Sequence, residues 1–121
     1  MLNHIGLRTT QFDVLVRFYE ATLAPLGYAK RFSWEGNAGF GNDGGVQLWI
    51  HASDAKPTGI HIALTGADQA AVDAFHGAAL GAGAADNGKP GLRKDYHANY
   101  YAAFVTDPDG NNLEAVCWPR D

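Results

Sequence analysis

Two histidines and a glutamate are the residues in this chain best suited to chemistry. His4 opens the stretch His-Ile-Gly-Leu-Arg, His61 opens His-Ile-Ala-Leu-Thr, and Glu114 lies in Asn-Asn-Leu-Glu-Ala-Val near the end. Two imidazoles and one carboxylate are a donor set for Fe(II), Mn(II), Ni(II) or Zn(II), and three protein donors leave coordination positions for water or a substrate oxygen. The same residues equally suit hydrogen-bonded rim histidines and a solvated carboxylate. What decides is whether the fold aims them at one place.

Alternation along the strands that carry them gives a first answer. Leu2 to Arg8 reads as a strand, and from Phe12 the residues Phe12, Leu15, Val16, Tyr19 and Leu23 form the stripe of an amphipathic helix, with Thr10 and Asp13 as its capping box and Pro25 and Gly27 as its stop. Successive strand side chains point to opposite faces. Ile5 and Leu7 must pack on that helix, which leaves His4, Gly6 and Arg8 on the other face. Ile60, Ile62 and Leu64 claim the helix side of the strand holding His61. Leu113, Ala115 and Cys117 claim it in the last strand, leaving Glu114, Val116 and Trp118 opposite. All three candidate donors therefore face away from the helices.

The histidines also belong to an internal repeat. An offset of 57 residues places His4 on His61, Ile5 on Ile62, Leu7 on Leu64 and Phe18 on Phe75. After the first helix, "YAKRFSWEG", "AGFGNDGG" and "VQLWIHA" read as a three-stranded meander. After "SDAKPTG", "IHIALTG" is again a strand and "ADQAAVDAFHGAALGAGA" again a helix. "DNGKPGLRKDYHAN" is turn-rich and irregular at its end, and "YYAAFVTDPDGNNLEAVCW" is a hairpin turned at Asp107-Pro108-Asp109-Gly110. Aligning the fourth strands on their Gly-rich turns sets Leu48 against Leu113 and Trp49 against Glu114. The expected fold is α+β: two tandem βαβββ modules, 1–52 and 59–121 joined by a linker at 53–58, in one domain whose curved half-barrel sheet surrounds a cavity with the helices outside.

The stretches "HIGLRTTQFDVLVRFYEATLAPLGY", "HIALTGADQAAVDAF" and "FVTDPDGNNLEAV", with the two βαβββ halves, resemble the vicinal oxygen chelate superfamily of glyoxalase I, extradiol dioxygenases, fosfomycin-resistance thiol transferases and bleomycin-resistance binding proteins. The resemblance implies metal ligands at the first and fourth strands of each half, which are His4, Trp49, His61 and Glu114 here. Trp49 departs from the four-ligand pattern of glyoxalase I. The remaining set is similar to that of the dioxygenases and thiol transferases. It implies a divalent metal and Lewis-acid chemistry by lyase, isomerase or dioxygenase reaction on a small substrate with adjacent oxygens. The alternative is a metal-free binding or sequestration protein of the bleomycin-resistance type. The resemblance also implies a homodimer.

Other residues gather around this set. His97, Tyr96 and Tyr100 in "KDYHANYY" are placed to roof the cavity, with His97 or Tyr100 as an acid or base. Trp49 is expected to wall the pocket and His51, two residues on, to sit at its rim. Arg8 is expected to meet an anionic substrate or a nearby carboxylate, and Cys117 to be a small core residue. Net charge is -4 with scattered Lys and Arg, which argues against a nucleic-acid surface. No apolar run reaches the roughly 20 residues of a membrane span. The opening lacks a secretory pattern and a single cysteine forms no internal disulfide, so a cytoplasmic setting is expected.

Overall fold

The computed structural model describes residues 2–118. The chain runs β1 (Ile5–Thr9), α1 (Phe12–Leu23), a 3-10 turn (Ala24–Leu26), β2 (Ala29–Trp34), β3 (Asn37–Asn42), β4 (Gly45–Ala52), β5 (His61–Thr65), α2 (Gln69–Gly81), β6 (Ala85–Leu92), β7 (Tyr101–Thr106) and β8 (Asn112–Cys117). The strands form two four-stranded sheets in the orders β1-β4-β3-β2 and β5-β8-β7-β6, so the half-barrel is split and unclosed instead of continuous. In each, the first and last strands of a half pair in parallel and the rest antiparallel.

Register confirms the repeat. Ile5 lies against Leu48 and Gly6 against Trp49, while Ile62 lies against Leu113 and Ala63 against Glu114. Trp49 and Glu114 are thus structural counterparts. Leu7, Leu48, Ile50, Phe18 and Tyr19 are buried from the first half, and Ile62, Leu113, Ala115, Phe75 and Val72 from the second, in one continuous core. Each fully buried large apolar side chain contributes roughly 2 kcal/mol of transfer free energy. His4, Gly6 and Arg8 are exposed on the opposite face, as alternation requires. Cys117 is buried in the core.

Two local readings change. The N-cap of α1 is Gln11, with no side-chain cap; Thr9 Oγ1, not Thr10, accepts from the Gln11 amide at 3.0 Å. Gln11 is drawn instead to the second half, where its Nε2 donates to Pro108 O at 3.1 Å and to Asp109 Oδ1 at 2.5 Å. Helix α2 carries the true side-chain cap, Asp68 Oδ1 accepting from the Ala71 amide at 2.8 Å. The segment "ADNGKPGL" is a strand, β6, despite its turn-forming composition: it is an edge strand with two register shifts beside β7, where glycine and proline are tolerated. Its Asp86 accepts from or pairs with His76 Nε2 of α2 at 2.9 Å, which holds that histidine buried.

The halves are joined by more than apolar contact. Tyr19 of α1 donates its hydroxyl to Asp107 Oδ2 at 2.5 Å, in the turn between β7 and β8. Both groups are buried, so a polar bond crosses from one half to the other inside the core.

Candidate functional site

On the open face of the second sheet, His61 and Glu114 meet. His61 Nε2 lies 3.1 Å from Glu114 Oε1, and His61 Nδ1 lies 3.1 Å from the carbonyl oxygen of Asn112. A carbonyl only accepts, so Nδ1 carries the proton, and in a neutral imidazole the Nε2 lone pair then faces a carboxylate oxygen. Two lone pairs at that distance repel unless a proton or a cation stands between them. Two ligand atoms of one ion at right angles, each about 2.1 Å from it, are about 3 Å apart. The pair therefore fits either an imidazolium–carboxylate bond or two adjacent ligands of a divalent metal.

Glu114 is only 3% exposed although it lies on the open face. Its second oxygen, Oε2, accepts from the Tyr100 hydroxyl at 2.5 Å. Burial, then the hydrogen bond and the negative charge of Glu114, push the Tyr100 phenol up to about 12. Tyr100 is thus a donor that orients the carboxylate, not a base at neutral pH. Because its folded value lies above the ordinary value near 10, its contribution to stability is present below pH 10 and lost as pH rises through about 12. Alkaline titration of tyrosinate absorbance is expected to lose one late transition in Tyr100→Phe; an unchanged profile would contradict the assignment.

The rest of this face is aromatic. Phe104 lies nearly parallel to His61 at 6.3 Å, with the Arg93 guanidinium 5.4 Å from its ring centre. Tyr96 packs edge-on to Tyr100 at 5.1 Å, and Trp118 lies 5.5 Å from Tyr100 and 5.2 Å from His97. His97 Nδ1 accepts from the Asn99 amide at 3.1 Å, so its polar partner is the loop backbone. Of the proposed acid–base pair, the structure brings Tyr100 to Glu114. His97 is instead packed against the indole at the rim.

His4 is elsewhere. It lines a cavity of about 390 Å³ on the first sheet with Gly6, Phe32, Asn37, Trp49 and His51. Trp49 packs edge-on to Phe32 at 5.3 Å and covers Gly39, where an added Cβ would come within 2.9 Å of the indole. Arg8 lines an adjoining cavity of about 450 Å³ with Lys56 and Asn111, and Gly6 is common to both. Among the described residues no three His, Cys, Asp or Glu side chains stand close enough together to hold one ion. Within one chain, then, His61 and Glu114 come together and His4 does not join them. Phe104, Asn112 and Asn37 were not singled out in the sequence. Register alone would have found Phe104, which pairs with Glu114 across β7 and β8.

Residues 1–115 match the family described as the glyoxalase/bleomycin resistance protein/dioxygenase superfamily. The fold is similar to that of a glyoxalase/bleomycin resistance protein from Albidiferax ferrireducens T118, 24% identical, covering 98% of this chain and 99% of that one with a TM-score of 0.85. It is similar also to a putative glyoxalase from Bacillus halodurans, 23% identical over 97% and 95% of the two chains with a TM-score of 0.73. A glyoxalase I mutant from Zea mays is 18% identical, with 95% of this chain covered, 43% of that one, and a TM-score of 0.73. At these identities the likeness is one of fold. No curated protein matches the chain.

Proposed function

The chain belongs to the glyoxalase/bleomycin resistance protein/dioxygenase superfamily, and from that premise we propose that it is a divalent-metal-dependent enzyme acting on a small substrate with vicinal oxygens, by a lyase, isomerase or dioxygenase reaction. The observation that carries this reading is the His61–Glu114 pair, whose 3.1 Å separation suits two adjacent ligands of one ion. His4, His61 and Glu114 are the proposed donors. Such an ion, when bound, supplies Lewis acidity toward a developing enolate or oxyanion.

The chain's own residues do the rest. Tyr100 holds Glu114 in place by its hydroxyl proton. Trp49 and Phe32 wall the substrate cleft, and Arg8 meets an anionic group of the substrate at its edge, with Tyr96 and His97 as further rim groups. His4 reaches the pair when a second copy sets its first sheet over the second sheet of its partner. Supporting such a homodimer, Phe32 and Trp34 stand on one face of the edge strand β2, 44% and 64% exposed. The cytoplasm is the proposed setting.

The separation of His4 from the pair within one chain favours a second reading, a metal-free small-molecule binder of the bleomycin-resistance type. Metal titration followed by melting separates the two. Metal at about 100 times its dissociation constant stabilises a fold by about 2.7 kcal/mol, a rise in Tm of roughly 10 °C for a chain of this size. Glu114→Gln is expected to abolish that rise. No stoichiometric metal and no rise with Ni(II), Zn(II), Mn(II) or Fe(II) would refute the enzyme reading and leave the binder.

A further inference from the structure

Position 49, the counterpart of Glu114, holds an indole that cannot ligate a metal. The next side chain on the same face of the same strand is His51. A residue two positions along a strand is displaced by roughly 6.6 Å, which would carry the imidazole past the site if it stood upright. It does not. His51 pairs in register with Arg8, yet its Nε2 lies 3.3 Å from where a Cβ on Gly6 would be, so the ring leans back along β1 in the direction of His4. Glycine at position 6 leaves the ring room, since a Cβ there would press on it. The Trp49 ring lies parallel to the imidazole, at 8° and 6.2 Å between centres.

The polarity of the ring is set as well. His51 Nδ1 lies 2.8 Å from Asn37 Oδ1. The Asn37 amide is oriented by its own nitrogen, which donates to Trp34 O at 3.1 Å and Glu35 O at 3.3 Å, so the atom facing His51 is the oxygen. An amide oxygen only accepts, so Nδ1 carries the proton, and in the neutral ring Nε2 is then the nitrogen with the lone pair. That is the arrangement of metal-ligating histidines, whose second nitrogen donates to a fixed oxygen. His4 shows it too, with Nδ1 2.8 Å from Asn3 Oδ1, and His61 with the Asn112 carbonyl. His4 and His51 line one cavity.

We infer that His51 is a metal donor paired with His4, replacing on this strand the ligand that Trp49 cannot provide, so that each sheet contributes two donors: His4 and His51 from the first, His61 and Glu114 from the second. The inference rests on the metal-dependent reading above. Three imidazoles with one carboxylate favour Zn(II), Ni(II) or Cu(II) over Mg(II) or Ca(II).

Zn(II) titration calorimetry and the nitrogen superhyperfine pattern of the Cu(II)-loaded full chain test it together. His51→Ala is expected to weaken Zn(II) roughly 100-fold and to remove one nitrogen from the Cu(II) pattern. His51→Gln, which keeps bulk beside Trp49, is expected to do the same, so a folding defect in the alanine variant does not decide the matter. Asn37→Ala is expected to weaken Zn(II) by 10- to 100-fold, the range for loss of an outer partner. Unchanged affinity and nitrogen count in His51→Gln, with binding lost in Glu114→Gln, would overturn the role of His51 and leave the metal reading intact. Wild-type protein that takes up no Zn(II) would overturn both.

Discussion

Replacing Asp107 with alanine is expected to cost the fold about 4 kcal/mol, a large part of the 5–15 kcal/mol by which domains of this kind are stable. Oδ1 accepts from the amides of Asp109 and Asn111 at 2.8 and 2.9 Å, and Oδ2 from Asn111 Nδ2 at 2.8 Å and the Tyr19 hydroxyl at 2.5 Å. Asp107 and Asn111 are each 4% exposed and Tyr19 fully buried, so in the alanine variant the donors of Tyr19 and Asn111 lose their acceptor with little water to replace it. Each such loss costs roughly 1–3 kcal/mol. Tyr19→Phe, which removes one donor and leaves the acceptor with three others, is expected to cost about 1–2 kcal/mol by the same rule. Asp107→Asn falls between, because its amide nitrogen meets that of Asn111, donor against donor. Urea denaturation of the three variants gives the ranking; a loss under 1 kcal/mol for Asp107→Ala would show that the network is not what joins the halves. Burial, then the Asp107 charge, raises the Tyr19 phenol well above its ordinary value. Stability from it is therefore fully present below pH 10 and lost only as the solution becomes strongly alkaline.

Gly41→Ala is expected to cost about 3 kcal/mol, for a reason of space instead of backbone angle. Gly41 sits where the register of β3 and β4 shifts, paired with Val46 directly before the turn. A Cβ there would overlap the carbonyl oxygen of Gly45 and come within 2.8 Å of Gln47 Oε1. The obstacle is mainly backbone, so no rotamer change relieves it and the hairpin must open. Overpacking typically costs 1–3 kcal/mol, and the upper end applies where main chain must move. Gly77→Ala, at a helical position where nothing lies within 4 Å of an added Cβ, is the control and is expected to be neutral or slightly stabilising. Equal melting temperatures for the two variants would contradict the overlap.

How much of the site was legible depends on how local its cause is. Pleating is a property of each strand alone, so alternation placed His4, Gly6 and Arg8 opposite Leu7, and Glu114 opposite Leu113 and Ala115, and the structure agrees. The stripe of the first helix likewise marked Leu15, Val16, Tyr19 and Leu23 as core, and all four are buried. The repeat matched Trp49 to Glu114 before any register was known. The Thr10–Asp13 cap failed because Gln11 is held by a turn nearly a hundred residues away, and the bounds of β6, a strand the module requires, were obscured by glycine and proline that an edge position tolerates.

The sequence by itself determined the two βαβββ halves, the face on which each candidate donor stands and the correspondence between the halves, because these follow from periodicity and spacing along the chain. Only the tertiary structure decided which donors meet. It set His61 on Glu114 and Tyr100 behind them, laid the His51 ring beside Gly6, and left His4 beside the other sheet. Those outcomes depend on how two separately hydrogen-bonded sheets are joined through Tyr19, Gln11 and the Asp107 turn, and contacts between distant segments leave no period in a single sequence.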